Sequence, residues 1–153
     1  MKRIFIFAIA SLLLISSLAA AQPKEAKSLA EIMDGLKAGM QVRGVFHYQK
    51  CQLISDNKIV KRVPDAIGGM TLDTFEYFAP KSIGNPEGFV SSSKTVLINH
   101  PSRGLVYNYA KVRIYESGEV QIIAQYINPK TFEIVMDESF YTKIGEGAIF
   151  YVK

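Results

Sequence analysis

A chain of 153 residues with 48% hydrophobic content is long enough for one folded domain and too short for two of ordinary size. A single cysteine excludes an internal disulfide, and two histidines exclude a three-histidine metal or hydrolytic centre. The net charge of +4 is modest, and no basic run marks a nucleic-acid footprint.

Lys2 and Arg3 precede an apolar run from Ile4 to Leu18, interrupted only by Ser11, Ser16 and Ser17, and Ala19-Ala20-Ala21 closes it. This pattern reads as a secretory signal peptide over residues 1–21, cleaved before Gln22. The run is shorter than the roughly 20 residues that span a bilayer, and no later run is longer, so no stable membrane insertion is expected after cleavage. Cleavage removes Lys2 and Arg3 and leaves sixteen basic against fourteen acidic residues, a net charge of +2. The expected location is the periplasm or the medium.

Gln22 to Lys27 is short, polar and contains Pro23, which predicts a flexible mature terminus ahead of a single β-rich domain over 28–153. Ser28-Leu29-Ala30-Glu31 is a capping box, and Leu29, Ile32, Met33 and Leu36 follow it as one apolar stripe ending at Lys37 and Gly39. So short a helix needs a surface to pack on.

Strand signals then take over. Val42 to Tyr48 alternates with period two, Asp56-Asn57-Lys58 reads as a turn, and Gly68-Gly69 marks a place where the backbone needs freedom. Met70 to Phe78 is a further strand, Ala79 to Glu87 is a loop rich in Pro and Gly, and Gly88 to Asn99 forms one strand or a bent pair. Two apolar-aromatic runs between Leu105 and Ile127 flank Ser117-Gly118, the spacing of an antiparallel hairpin. Asn128-Pro129-Lys130 turns the chain before Thr131 to Met136, and Phe140 to Lys143 and Ala148 to Val152 flank the turn Gly145-Glu146-Gly147. The fold class is mainly β (α+β by count), with one N-terminal helix packed on a curled or closed antiparallel meander of six to eight strands.

Chemistry is sparse. His47, Cys51 and His100 lack the short paired spacing of a zinc site, so neither metal nor other cofactor is expected. Ser91-Ser92-Ser93-Lys94 lies in strand or loop, without the helical turn and partner motifs of a serine-lysine enzyme. Cys51 reads first as a small buried hydrophobe; as a reactive thiol it would serve a disulfide-linked dimer, or an envelope enzyme with Cys51 as nucleophile and His47 or His100 as base. The most suggestive constellation alternates along one strand. Tyr107, Tyr109, Lys111, Arg113 and Tyr115 share a face, opposite Val106, Asn108, Ala110, Val112 and Ile114. Three tyrosines and two cations suit a polar small molecule, a glycan or a protein partner, through stacking and hydrogen bonds. They also suit an ordinary solvated strand face. A carrier enclosing a small ligand in a barrel cavity is the other non-enzymatic reading.

Leu36-Lys37-Ala38-Gly39, the strand leading to Cys51, Gly68-Gly69 before Met70-Thr71-Leu72, and Val112-Arg113-Ile114-Tyr115 with Ser117-Gly118-Glu119-Val120 form a recognisable pattern. With Asn128-Pro129-Lys130-Thr131 and Ile144-Gly145-Glu146-Gly147, it resembles the VirK family of small exported proteins associated with virulence in Gram-negative bacteria. The resemblance covers most of the mature chain and rests on structural punctuation. It implies export and a role at the host interface, with no established reaction. Similar members carry a second cysteine where this chain has Thr142, which implies a disulfide in relatives that is absent here.

Overall fold

A computed structural model describes residues 22–55 and 58–153. The leader of residues 1–21, and the Asp56-Asn57 part of the expected turn, lie outside the described residues.

The helix, α1 (Leu29–Lys37), forms where its caps and stripe place it, burying Leu29, Ile32, Met33 and Leu36. Ser28 is extended and its Oγ accepts from the Glu31 amide at 3.3 Å. The reciprocal arm of the box differs from expectation: the Glu31 carboxylate accepts from the amide of Lys27, not Ser28, at 3.4 Å. At the other end Gly39 (φ 71°) permits a Schellman closure, its amide donating to Leu36 O and that of Met40 to Gly35 O.

Eleven strands occupy the described residues: β1 (Lys24–Ala26), β2 (Val42–His47), β3 (Gln52–Ser55), β4 (Lys58–Val60), β5 (Ile67–Thr71), β6 (Phe75–Phe78), β7 (Phe89–His100), β8 (Gly104–Tyr115), β9 (Glu119–Ile127), β10 (Ile134–Lys143) and β11 (Ala148–Val152). All strand pairings are antiparallel. They form a small sheet, β1-β11-β2-β5, and a large one, β4-β3-β10-β9-β8-β7-β6. The mainly β, antiparallel class is as expected, and β6 to β10 form a true meander.

Several local expectations need correcting. The strand number exceeds six to eight because pairs form between distant segments whose individual signals are weak. Residues 24–26 are not a loose terminus; β1 pairs with β11 and Ala26 is buried. Met70 to Phe78 is not one strand, since the chain leaves the small sheet after Thr71 and enters the large one at Phe75. Gly69 lies within β5 and has no positive φ. It is small because a Cβ there would sit 2.7 Å from the Gly44 carbonyl oxygen. Thr131 to Met136 and Phe140 to Lys143 are largely one continuous strand, β10.

The two sheets and the helix enclose one core. Phe150, Ile32, Val112 and Ile114 are all 0% exposed, with Phe46 edge-on to Phe150 at 6.2 Å. The sheets remain separate in their pairing, and large side chains fill the space between them. A carrier with a barrel cavity is therefore not supported: the interior that would hold its ligand is packed.

Candidate functional site

The face of the large sheet that points away from the core carries the candidate site. Alternation along β8 sends Val106, Val112 and Ile114 into burial at 3% or less. Tyr107, Tyr109, Lys111, Arg113 and Tyr115 fall on the opposite face, as their spacing predicts. Register decides their neighbours: Tyr107 opposes Leu97 and Ile127, Tyr109 opposes Thr95 and Gln125, and Lys111 opposes Ser93 and Ile123. These three do not converge on a cavity.

Tyr115 does line one, and Arg113 stands next to it on the same face. Phe78 stacks on Phe89 at 5.0 Å, Phe89 meets Tyr115 at 5.5 Å, and the Arg113 guanidinium lies 5.8 Å above the Phe89 ring. Arg113 Nη1 donates to Gln121 Oε1 at 3.4 Å, and Gln121 Nε2 donates to the Tyr141 hydroxyl at 2.9 Å. Among the described residues Arg113 Nε has no acceptor, and stacking and this one hydrogen bond hold the guanidinium. Because Tyr141 receives a hydrogen bond, its own O–H proton is free to donate outward.

Beside this relay lies an open groove of about 530 Å³, lined among others by Gln52, Ile54, Tyr115, Gln121, Tyr141 and Lys143. Away from the groove, two carboxylates tie the segment ahead of β7 to the β8–β9 turn. The Glu116 carboxylate accepts from Gly88 N at 3.2 Å and from the Tyr77 hydroxyl at 2.9 Å, and Glu87 accepts from Ser117 N at 2.8 Å. The hydrogen bond to Glu116 holds the Tyr77 phenol above its ordinary pKa, with lesser contributions from burial and the carboxylate charge. Gln121 and Tyr141 carried no signal in the sequence. They oppose one another only through the β9–β10 register, which a local pattern does not contain.

Cys51 lies elsewhere, 7% exposed in the core, its Sγ donating to the His47 carbonyl oxygen at 3.4 Å. Burial pushes the thiol pKa up, and a hydrogen bond from Thr142 offsets part of this. A protonated, buried thiol is a poor nucleophile and poorly placed to bridge two chains. His100, the other base considered, stands at the end of β7 with its ring 5.0 Å from Tyr126. Among the described residues no group of three His, Cys, Asp or Glu side chains could hold a metal, and no helix is long and apolar enough to cross a membrane.

The VirK protein family model matches residues 25–132, most of the chain, ending before β10. The chain belongs to the VirK family. A crystal structure of a VirK family protein from Legionella pneumophila superposes with a TM-score of 0.64 at 17% identity, covering 82% of this chain and 97% of that one. At that identity the likeness is one of fold. Comparison with curated proteins finds no match. The Gln121 and Tyr115 positions fall inside the matched span, whereas Tyr141 and Lys143 follow it, so the VirK match covers only part of the groove.

Proposed function

We propose that this VirK family protein is exported and acts by binding, not catalysis, with the outer-face groove taking a glycan at the host interface. The observation that carries the reading is the Arg113–Gln121–Tyr141 relay, which orients an amide and a phenol beside Tyr115. Sugars present hydroxyls to amides and phenols and apolar ring faces to aromatics, and this wall offers both. Its width across β3, β10, β9 and β8 suits an extended oligosaccharide more than a buried metabolite. The leader pattern and the VirK resemblance support export.

Two experiments test the halves separately. NMR titration with a panel of oligosaccharides is expected to shift the Gln121 and Tyr141 resonances, and Gln121→Ala to weaken binding about tenfold, the effect of losing roughly 1.4 kcal/mol of hydrogen bonding. Shifts confined to other faces would move the site, and none at all would remove it. For export, fractionation is expected to recover a product beginning at Gln22 outside the cytoplasm. A cytoplasmic product retaining residues 1–21 would count against it.

A further inference from the structure

The large sheet has one edge segment that lacks the usual protection. Strand β6 pairs with β7 only from Phe89 to Ser92, and the Asp73 carboxylate then reaches the Lys94 ammonium at 3.5 Å. From Thr95 to His100, β7 is paired with β8 on one side and, among the described residues, with nothing on the other. Every second residue there turns its N–H and C=O outward.

The other edges of the large sheet, and β1 of the small one, carry devices that discourage strand addition. β1 is three residues long and follows Pro23, and β4 is equally short and starts at Lys58. β6 has four residues and meets Pro80 soon after its end. On β10, the segment beyond β3 is broken by an irregularity between Ile134 and Met136, and Arg103 Nη1 occupies the Val135 carbonyl at 3.0 Å. The β7 segment reads Thr-Val-Leu-Ile-Asn-His, with no proline and no carboxylate, lysine or arginine. Its β-branched and apolar side chains stand in solvent, Val96 at 43% and Leu97 at 54% exposure.

We infer that this edge is where a second copy of the chain adds, β7 against β7, about a two-fold axis that makes one continuous antiparallel sheet. Backbone groups in a row accept only an extended strand. The lack of charge gives a charged partner nothing to recognise, whereas the segment suits itself. A two-fold axis normal to the sheet keeps each face on its own side, so only residues of equal parity can oppose. With Leu97 on the axis, Val96 meets Ile98 of the partner subunit and Thr95 meets Asn99 of the partner subunit, pairing apolar with apolar and polar with polar. Lys94 then meets His100 of the partner subunit at the end of the ladder, where the Lys94 charge is already compensated by Asp73. The groove of the proposed glycan site lies on the other side of β8 and stays open.

Sedimentation equilibrium of the purified protein over a wide dilution series is expected to show monomer giving way to dimer, and Leu97→Lys to remain monomeric with unchanged circular dichroism. In a Cys51→Ala background, Leu97→Cys is expected to form a disulfide-linked dimer under mild oxidation. An Ile59→Cys control, on the β4 edge, is not. A wild-type protein that stays monomeric throughout, with Leu97→Cys crosslinking no faster than the control, would overturn the inference. So would a monomer whose β7 edge takes up an unrelated extended peptide.

Discussion

The long strands β7 to β10 behave differently at their two ends. Near the β8–β9 turn they lie beneath the helix and the small sheet, and Val90, Val112, Ile114, Val120, Ile122 and Phe140 are all 2% exposed or less. At the far end the same strands expose Leu97, Leu105, Ile134 and Val135. Composition does not separate the ends, since both are rich in β-branched residues. Cover separates them: five-residue β11 and nine-residue α1 cannot shelter four strands of nine to twelve residues along their full length. One end therefore holds the fold together, while the other leaves a backbone edge free.

The difference can be broken most severely by cutting into the sheltered end. Phe150→Ala is expected to cost about 3–5 kcal/mol in denaturant unfolding, the range for deleting a buried phenylalanine. Leu97→Ala, measured on dilute protein, is expected to stay within about 0.5 kcal/mol, as surface substitutions do. Comparable losses at both positions would erase the distinction.

A staple within the sheltered end sharpens it further. Thr142 and Cys51 both crowd Gly147, where a Cβ would stand 2.6 Å from Thr142 Oγ1 and 3.0 Å from Cys51 Sγ. Thr142→Cys is thus expected to pair with Cys51 on oxidation, removing both free thiols and raising stability by up to about 4 kcal/mol, the loop-closure value for so long a span. Persistent free thiols under oxidising conditions would show that the two strands do not approach as described. In the wild type the same burial predicts slow alkylation of Cys51 by iodoacetamide, accelerating on unfolding.

What could be read beforehand was local. The helix, with Ser28, its apolar stripe and Gly39, is specified within a dozen residues, and the β8–β9 hairpin turns at Gly118 (φ 85°), one of its two expected turn residues. Long-range pairing was opaque. Lys24-Glu25-Ala26 carries no strand signal and becomes β1 only because β11, over a hundred residues later, offers it an edge. The same distance hid the groove. Tyr115 and Arg113 were visible as an alternating face, but Gln121 and Tyr141 join them only through sheet register. The family resemblance rested on turns and caps for the same reason: those signals are local.

Smaller effects follow at the margins of the core. Removing the cap with Ser28→Ala is expected to cost about 1 kcal/mol, read as a lower denaturation midpoint. Burial holds the folded Glu138 carboxyl above its ordinary range. Its contribution to stability is thus fully present below the ordinary carboxylate pKa and is lost as pH rises through the raised value. Glu138→Gln is expected to flatten that part of the stability–pH profile, and an unaltered slope would show that the carboxyl is well solvated.

Amide hydrogen exchange at two protein concentrations tests the division between the ends most directly. The amides of Ile114, Ile122 and Phe140 are expected to exchange only through global unfolding, at rates independent of concentration. Those of Thr95 to Asn99 that face away from β8 are expected to exchange quickly in dilute solution and to slow as concentration rises. Equal, concentration-independent protection at both ends would contradict a sheet whose one end carries the fold and whose other end is left open.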